Sequence, residues 1–217
     1  MTIGVVVGMR SEAALLRGRP MIGCSGGRPE KAAQIADYML KAGASGLISF
    51  GIGGGLAPAL RPGDLVIGKS VDLGGASLAT DSAWAMHLAN QLPDAVQGVI
   101  CGASVAAVTA ADKAALHAES GALLIDLESA AVAEVAAAAG KPFAVLRAVA
   151  DPARRAIPDY ALKALDANGG TRISPVLLGL MMKPYSLPAL LRLAGDSRKA
   201  LNALSAAARF LGPSLGF

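Results

Sequence analysis

Phe143–Val149 (FAVLRAV), closed by Ala150 and Asp151, decides how this chain is read. The run is short and mostly apolar, bounded by Pro142 and a carboxylate, and it reads as a buried strand. Working outward, Ala122–Ile125 (ALLI) and Thr2–Val7 (TIGVVV) read the same way, and each is likewise followed by an acid, Glu128 and Glu12 respectively. In an open parallel α/β sheet the ligand crevice lies beyond the carboxyl ends of the strands, so acids from three strand ends can converge on one pocket. Any one of the three would serve equally well as a helix N-cap or first-turn residue. Together they point to acid/base chemistry.

The rest of the chain fits the same architecture. Further strands are expected near 20–24, 46–50, 64–68 and 98–103, and helices over Glu30–Lys41, Ala83–Gln91, Asp112–Glu119 and Glu128–Ala139. This alternation implies βα units and a mainly parallel sheet. The Gly/Ser-rich segment after Ile67 (GKSVDLGGASLATDSAW) reads as a loop or short cover beside the pocket. Pro152, Pro158 and Asp166–Pro175 (DANGGTRISP) then interrupt the rhythm, after which only helical pattern remains. We expect a catalytic domain over residues 1–174 and a helical extension over 175–217 packed on it.

Composition narrows the class. The 217 residues are 53% hydrophobic and 17% charged, with few aromatic residues, an oily composition that suits one tightly packed α/β core. No apolar stretch reaches the roughly 18–20 residues that span a bilayer. The amino terminus enters a strand at once, without a signal-peptide pattern, so a cytoplasmic location is expected. Cys24 and Cys101 lie in strand-like contexts and read as reduced core thiols; with His87 and His117 isolated on helices, no metal site is expected. Before Pro175, fifteen basic residues balance fifteen acids, whereas the tail carries Lys183, Arg192, Arg198, Lys199 and Arg209 against Asp196 alone. A nucleic-acid partner is not expected, because the tail adds only Tyr185, Phe210 and Phe217 for stacking. Within Ser197–Leu211, Leu201, Leu204, Ala208 and Leu211 recur at helical spacing opposite basic and polar residues. With the oily runs Val176–Met182 and Leu187–Leu193, that helix either faces an anionic lipid surface or caps the sheet.

The glycine cluster Gly51-Ile52-Gly53-Gly54-Gly55 follows the strand ending at Phe50 and looks like a phosphate-cradling loop or a tight turn. Leu56 stands where the last glycine of a dinucleotide fingerprint belongs, so no nicotinamide cofactor, and no other cofactor, is expected. Bare backbone at Gly53 and Gly54 would let a ligand come close and meet amide donors.

Three segments, IGVVVGMRSE (3–12), SFGIGGGLAPALRPGDLVIG (49–68) and DLESAAVAEVAAAAGKPFAVLRAVADPA (126–153), occur in the order found in the nucleoside phosphorylase and nucleosidase superfamily, which this chain resembles over about residues 1–158. With its tail segment MKPYSLPALLRLA, it is most similar to the hopanoid-associated phosphorylases, held to remove adenine from adenosylhopane. The resemblance implies a three-layer α/β/α sandwich with a mixed, mainly parallel sheet, and a homodimer. It also implies cleavage of the N-glycosidic bond of a small-molecule or lipid-linked adenosine. That chemistry needs a proton for the departing base, stabilisation of a cationic sugar and an aimed nucleophile.

By resemblance, Asp151 is the general acid at N7 of adenine and Glu12 orients the attacking water. Glu128 binds the ribose hydroxyls, with Leu127 beneath the ribose where relatives have Met. Backbone groups near Val105 and Ala106, on a strand Val99–Val105, and at Ala150 read the base edge. Asp151 must be protonated to act, and Arg154 or Arg155 would oppose this if they faced it. Phosphorolytic relatives hold phosphate with arginines, but the glycine cluster here contains none, leaving Arg28 as the candidate phosphate ligand or simply an exposed helix-start residue. Water is thereby favoured over phosphate as nucleophile. The short segment after Ile67 would open the 5′ side of the pocket to a bulky substituent. The alternatives are a soluble methylthioadenosine/adenosylhomocysteine nucleosidase and a non-catalytic nucleoside- or lipid-binding module.

Overall fold

The computed structural model describes residues 2–16, 18, 21–157, 166, 168–170, 182 and 184–217. In chain order its elements are β1 (Ile3–Val7), α1 (Arg10–Leu15), β2 (Ile22–Cys24), α2 (Pro29–Lys41), β3 (Gly46–Gly55), β4 (Leu65–Asp72), β5 (Ser77–Ala79), α3 (Ser82–Gln91), β6 (Val96–Gly102), α4 (Ala110–Ser120), β7 (Leu124–Asp126), α5 (Ser129–Ala138), β8 (Phe143–Asp151) and, after a short turn of 3₁₀ helix at Pro184–Ser186, α6 (Leu187–Phe210).

All nine residues of β8 are buried, because β8 pairs on both edges, parallel to β3 and antiparallel to β4. From there the pairing runs β4 to β6, β6 to β7 and β7 back to β3, closing a ring of five strands. Strands β1 and β2 extend the sheet beyond β3, and β5 extends it beyond β4. The mixed, mainly parallel α/β/α architecture is thus present. Side chains alternate across β8 as strand geometry requires. Ala144, Leu146, Ala148 and Ala150 join the core with Trp84 and Leu88 of α3 and Ala200 and Leu204 of α6. Phe143, Val145 and Val149 join the opposite core with Ala32, Ala36 and Met39 of α2 and Val132 and Ala136 of α5. Arg147 lies on the same face as Val145 and Val149 along the strand and is fully buried.

Three expectations are corrected. The glycine cluster is neither turn nor phosphate loop: Gly51–Gly55 continue β3, none of them in the left-handed region, and Gly54 and Gly55 pair with β7. Missing side chains allow the close approach here, since a Cβ on Gly53 would lie 2.4 Å from Leu124 and 2.7 Å from the Ile125 carbonyl. The segment after Ile67 is a hairpin, with β4 running to Asp72 and turning through Gly74 and Gly75, both at positive φ, into edge strand β5. An edge strand needs little apolar alternation, so its polar sequence concealed it. Strand β6 stops at Gly102 and does not reach Val105.

For Ser197–Leu211 the sheet-capping alternative is the one the structure shows. The apolar face of Ser197–Leu211 packs inward, with Leu204, Ala208 and Leu211 buried together with Ala200 and Ala207. Trp84 donates its ring N–H to the Leu215 carbonyl at 2.9 Å and meets Phe217 edge-on at 4.7 Å, fastening the carboxyl end to α3. This face caps the sheet and is not available to lipid. The run Val176–Met182 lies outside the described residues except for Met182, as does most of Asp166–Pro175. No described helix is long and apolar enough to cross a membrane. Cys24 and Cys101 are free thiols.

Candidate active site

Local folding delivers each acid differently. Glu12 is the third residue of α1, and its carboxylate reaches back to accept from the backbone N–H of Gly8 (2.8 Å) and of the N-cap Met9 (2.7 Å) through Oε2. Its Oε1 accepts from the N–H of Ile52 at 2.8 Å, so an amide of the glycine-rich strand is used to hold a side chain. Glu128 occupies the N-cap position of α5 but makes no cap bond; its side chain turns inward to Ser25 Oγ (3.2 Å) and Arg147 (3.1 Å). Asp151 ends β8 just after a bulge. Between Gly53 and Gly54 of β3, β8 advances from Val149 to Asp151, leaving Ala150 as the extra residue. A bulge of this kind bends the strand and re-aims the side chain that follows.

These acids meet at one pocket of about 210 Å³ whose lining includes Glu12, Gly53, Gly54, Ala106, Leu127, Glu128, Ala150 and Asp151. Val105 lies outside it, largely exposed, in an adjoining open groove of about 990 Å³ that shares Ala106, Ala107 and Ile125 with the pocket. Arg28 is exposed at the start of α2 and is not part of the lining.

Side chains outside the predicted site hold the acids in place. Arg147 pairs with Asp126 and with Glu128, donates to Ser49 Oγ at 2.6 Å and reaches the Ile52 carbonyl at 3.3 Å. Ser129 donates its hydroxyl proton to Asp126, and its oxygen lies 3.0 Å from Ser49 Oγ, completing the network. A lone arginine inside an otherwise apolar strand was the signal for it. Opposite, α4 turns Lys113 inward, fully buried, to pair with Oδ2 of Asp151 and donate to the carbonyls of Pro152 (3.3 Å) and Arg155 (3.1 Å). The cation beside Asp151 is therefore Lys113. Arg154 is exposed, and the Arg155 guanidinium pairs with Asp196 of α6.

Burial dominates the electrostatics. It lifts the Glu12 carboxyl to about 7, with Arg147 opposing and Glu128 adding to the rise. Glu128 is raised as well, by burial first, against the pull of Arg147. Asp151 is raised by burial while Lys113, and more weakly Arg155, hold it down. Burial works against the Arg147 charge, but Asp126, Glu128 and Glu12 more than offset it, so the guanidinium stays cationic. Three carboxyls around one committed cation make this end of the pocket receptive to positive charge. At the other end burial raises the carboxyl of Asp151 against the pull of Lys113.

The sequence pattern of the Phosphorylase superfamily matches residues 13–169, well over half of the chain. The chain belongs to the phosphorylase superfamily. Solved structures of this superfamily's fold superpose along most of its length. The S-adenosylhomocysteine nucleosidase of Streptococcus pyogenes, in complex with 5-methylthiotubericidin, is 19% identical at a TM-score of 0.66, covering 83% of this chain and 96% of its own. The Helicobacter pylori 5′-methylthioadenosine/S-adenosyl homocysteine nucleosidase is 17% identical at 0.66, covering 95% and 97%. That of Neisseria meningitidis, in complex with methylthio-immucillin-A, is 18% identical at 0.65, covering 94% and 98%. At these identities the likeness is one of fold. No curated protein matches the chain.

Proposed function

We propose that this member of the phosphorylase superfamily hydrolyses the N-glycosidic bond of an adenosine with a bulky 5′ substituent, releasing adenine. The observation that carries the reading is the convergence of Glu12, Glu128 and Asp151 on one pocket, with Arg147 bound up among carboxylates behind it. Asp151 protonates N7 as the C1′–N9 bond breaks. Glu128 holds the ribose hydroxyls, a charge-assisted contact that strengthens as the sugar becomes cationic. Glu12, near neutrality in its affinity for a proton, takes one from the attacking water. Water is preferred to phosphate because Arg147 is committed to carboxylates and Arg28, next to the pocket-lining Gly27, is exposed and not itself part of the lining.

The pocket is small beside the groove that continues from it, which supports a substrate whose 5′ group extends beyond the nucleoside. The finer reading is a lipid-linked adenosine such as adenosylhopane. It is supported by the start of the tail, where Tyr185, Leu187 and Leu191 are 79%, 44% and 62% exposed beside the exposed Arg192, Arg198 and Lys199. Apolar side chains flanked by cations suit peripheral contact with anionic lipid, at up to about 1 kcal/mol per basic residue near the surface. A second copy of the chain as partner belongs to this reading through the resemblance alone. Three neighbours by fold are nucleosidases of methylthioadenosine or adenosylhomocysteine, and this favours the second reading, a soluble enzyme for those substrates. Adenine release from adenosylhopane compared with methylthioadenosine separates the two. A kcat/KM at least tenfold higher for adenosylhopane supports the lipid-linked reading, and the reverse order supports the soluble one.

A further inference from the structure

Lys113 is the least expected residue near the pocket. It lies on a helix whose other charged residues are at the surface or capping, yet it is wholly buried, and it is not part of the pocket lining. The helix is set by Thr109 and Asp112, which form a reciprocal capping box at its start, and it turns Lys113 and Leu116 to the same inward side. A buried ammonium is costly unless each of its three donors is satisfied. Here the acceptors are one oxygen of Asp151 and the carbonyls of Pro152 and Arg155, all within the strand end and turn that carry the acid.

We propose that Lys113 is the positioning residue of the general acid, clamping Oδ2 of Asp151 and the turn behind it so that the transferable proton rides on Oδ1, facing the base. The inference rests on the reading of Asp151 as the acid that protonates adenine. In the step it serves, the Oδ1–H bond breaks and an N7–H bond forms. The C1′–N9 electron pair passes to the purine, and water adds to C1′ while its proton goes to Glu12. Lys113 stays an ammonium throughout and becomes the counter-ion of the carboxylate left behind. It strengthens the acid at the moment of transfer and in exchange makes it ionise earlier as pH rises. The charged groups facing Asp151 are Lys113 from α4 and Arg155 from the following turn, the latter neutralised by Asp196 of α6.

The test is adenine release from methylthioadenosine between pH 5 and pH 10 for the full chain and for Asp151→Asn, Lys113→Met and Lys113→Arg, each checked for folding by thermal unfolding. An opposite charge within contact lowers a carboxyl pKa by about one to three units, so Lys113→Met is expected to move the alkaline limb up by that amount. Its kcat falls while KM stays within twofold, because Lys113 does not touch the pocket. A Lys113→Met profile that overlays the parental one, or a loss confined to KM, overturns the proposal. If Lys113→Met does not fold, Lys113→Arg decides: keeping the cation, it should keep the alkaline limb, and a limb shifted upward in that variant is contradictory. Parental turnover in Asp151→Asn removes the underlying assignment of the acid. An inactive Asp151→Asn beside an unaltered Lys113→Met removes only the role of Lys113.

Discussion

Arg147 Nη2 stands 3.1 Å from Oε2 of Glu128 while the same guanidinium pairs with Asp126, both contacts fully enclosed by protein. The arginine is thereby engaged in holding Glu128, the carboxylate proposed to bind the ribose, and is not free to bind an anion.

Arg147→Met should therefore be far more damaging than its conservative volume implies. Removing one partner of a buried ion pair leaves uncompensated charge, which costs about 3–5 kcal/mol. Urea denaturation at pH 7 should show this loss, and lowering the pH should recover part of it as the orphaned carboxyls take up protons. A variant as stable as the parent would show that the network does not organise the site.

The pH dependence of activity follows from Glu12. Its carboxyl is raised from 4.5 to about 7, so it must lose a proton to act as base, and the acid limb of kcat/KM should climb with pH with an apparent pKa near 7. Because Glu128 adds to the rise, that value belongs to the pair. The stability effect has the opposite sense. Between about 4.5 and 7 the folded chain keeps a proton the unfolded chain has lost, so stability falls as pH rises through that window and then levels off. Glu12→Gln should abolish turnover and flatten that slope in chemical denaturation. A rate already at its maximum at pH 5 would contradict the assignment.

Gly51 tests the packing behind the site. A Cβ there would lie 2.5 Å from Oε1 of Glu12 and 2.6 Å from Nη1 of Arg147, distances no real side chain tolerates. Gly51→Ala should lower both stability and turnover by displacing those two groups, with overpacking of this kind costing about 1–3 kcal/mol. Unchanged thermal unfolding and kinetics would mean the two side chains are free to move.

The tail needs point substitutions to be tested, since truncation would unfold the protein. Leu204, Leu211 and Leu215 are buried in the main core, and losing each forfeits about 1.5–3 kcal/mol against a total stability of about 5–15 kcal/mol. Leu187→Ser with Leu191→Ser leaves that core intact. The parent should co-sediment with vesicles containing anionic phospholipid and the double variant should not. Equal sedimentation of the two, or none by the parent, would leave α6 as packing alone.

Much of this was legible in the sequence for physical reasons that differ from element to element. β8, β1 and α2 announce themselves because a strand or helix buried on a long face must be apolar in a regular pattern. The glycine-rich half of β3 misled, because its glycines answer to the crowding of Leu124, Glu12 and Arg147, contacts a linear sequence does not display. The tail's amphipathic face was visible, but what it faced was not, since an apolar stripe is the same whether it meets a sheet or a lipid. Lys113 escaped because its partner lies 38 residues away on another element.

Hydrolytic release of adenine driven by Asp151 is read directly by product analysis with mass spectrometry after incubation with methylthioadenosine or adenosylhopane in phosphate-containing and phosphate-free buffer. We predict adenine together with a free ribosyl product both with and without phosphate, and a rate lower by about a hundred- to ten-thousand-fold in a folded Asp151→Asn variant. A ribose 1-phosphate product with an absolute phosphate requirement, or parental turnover by Asp151→Asn, would contradict it.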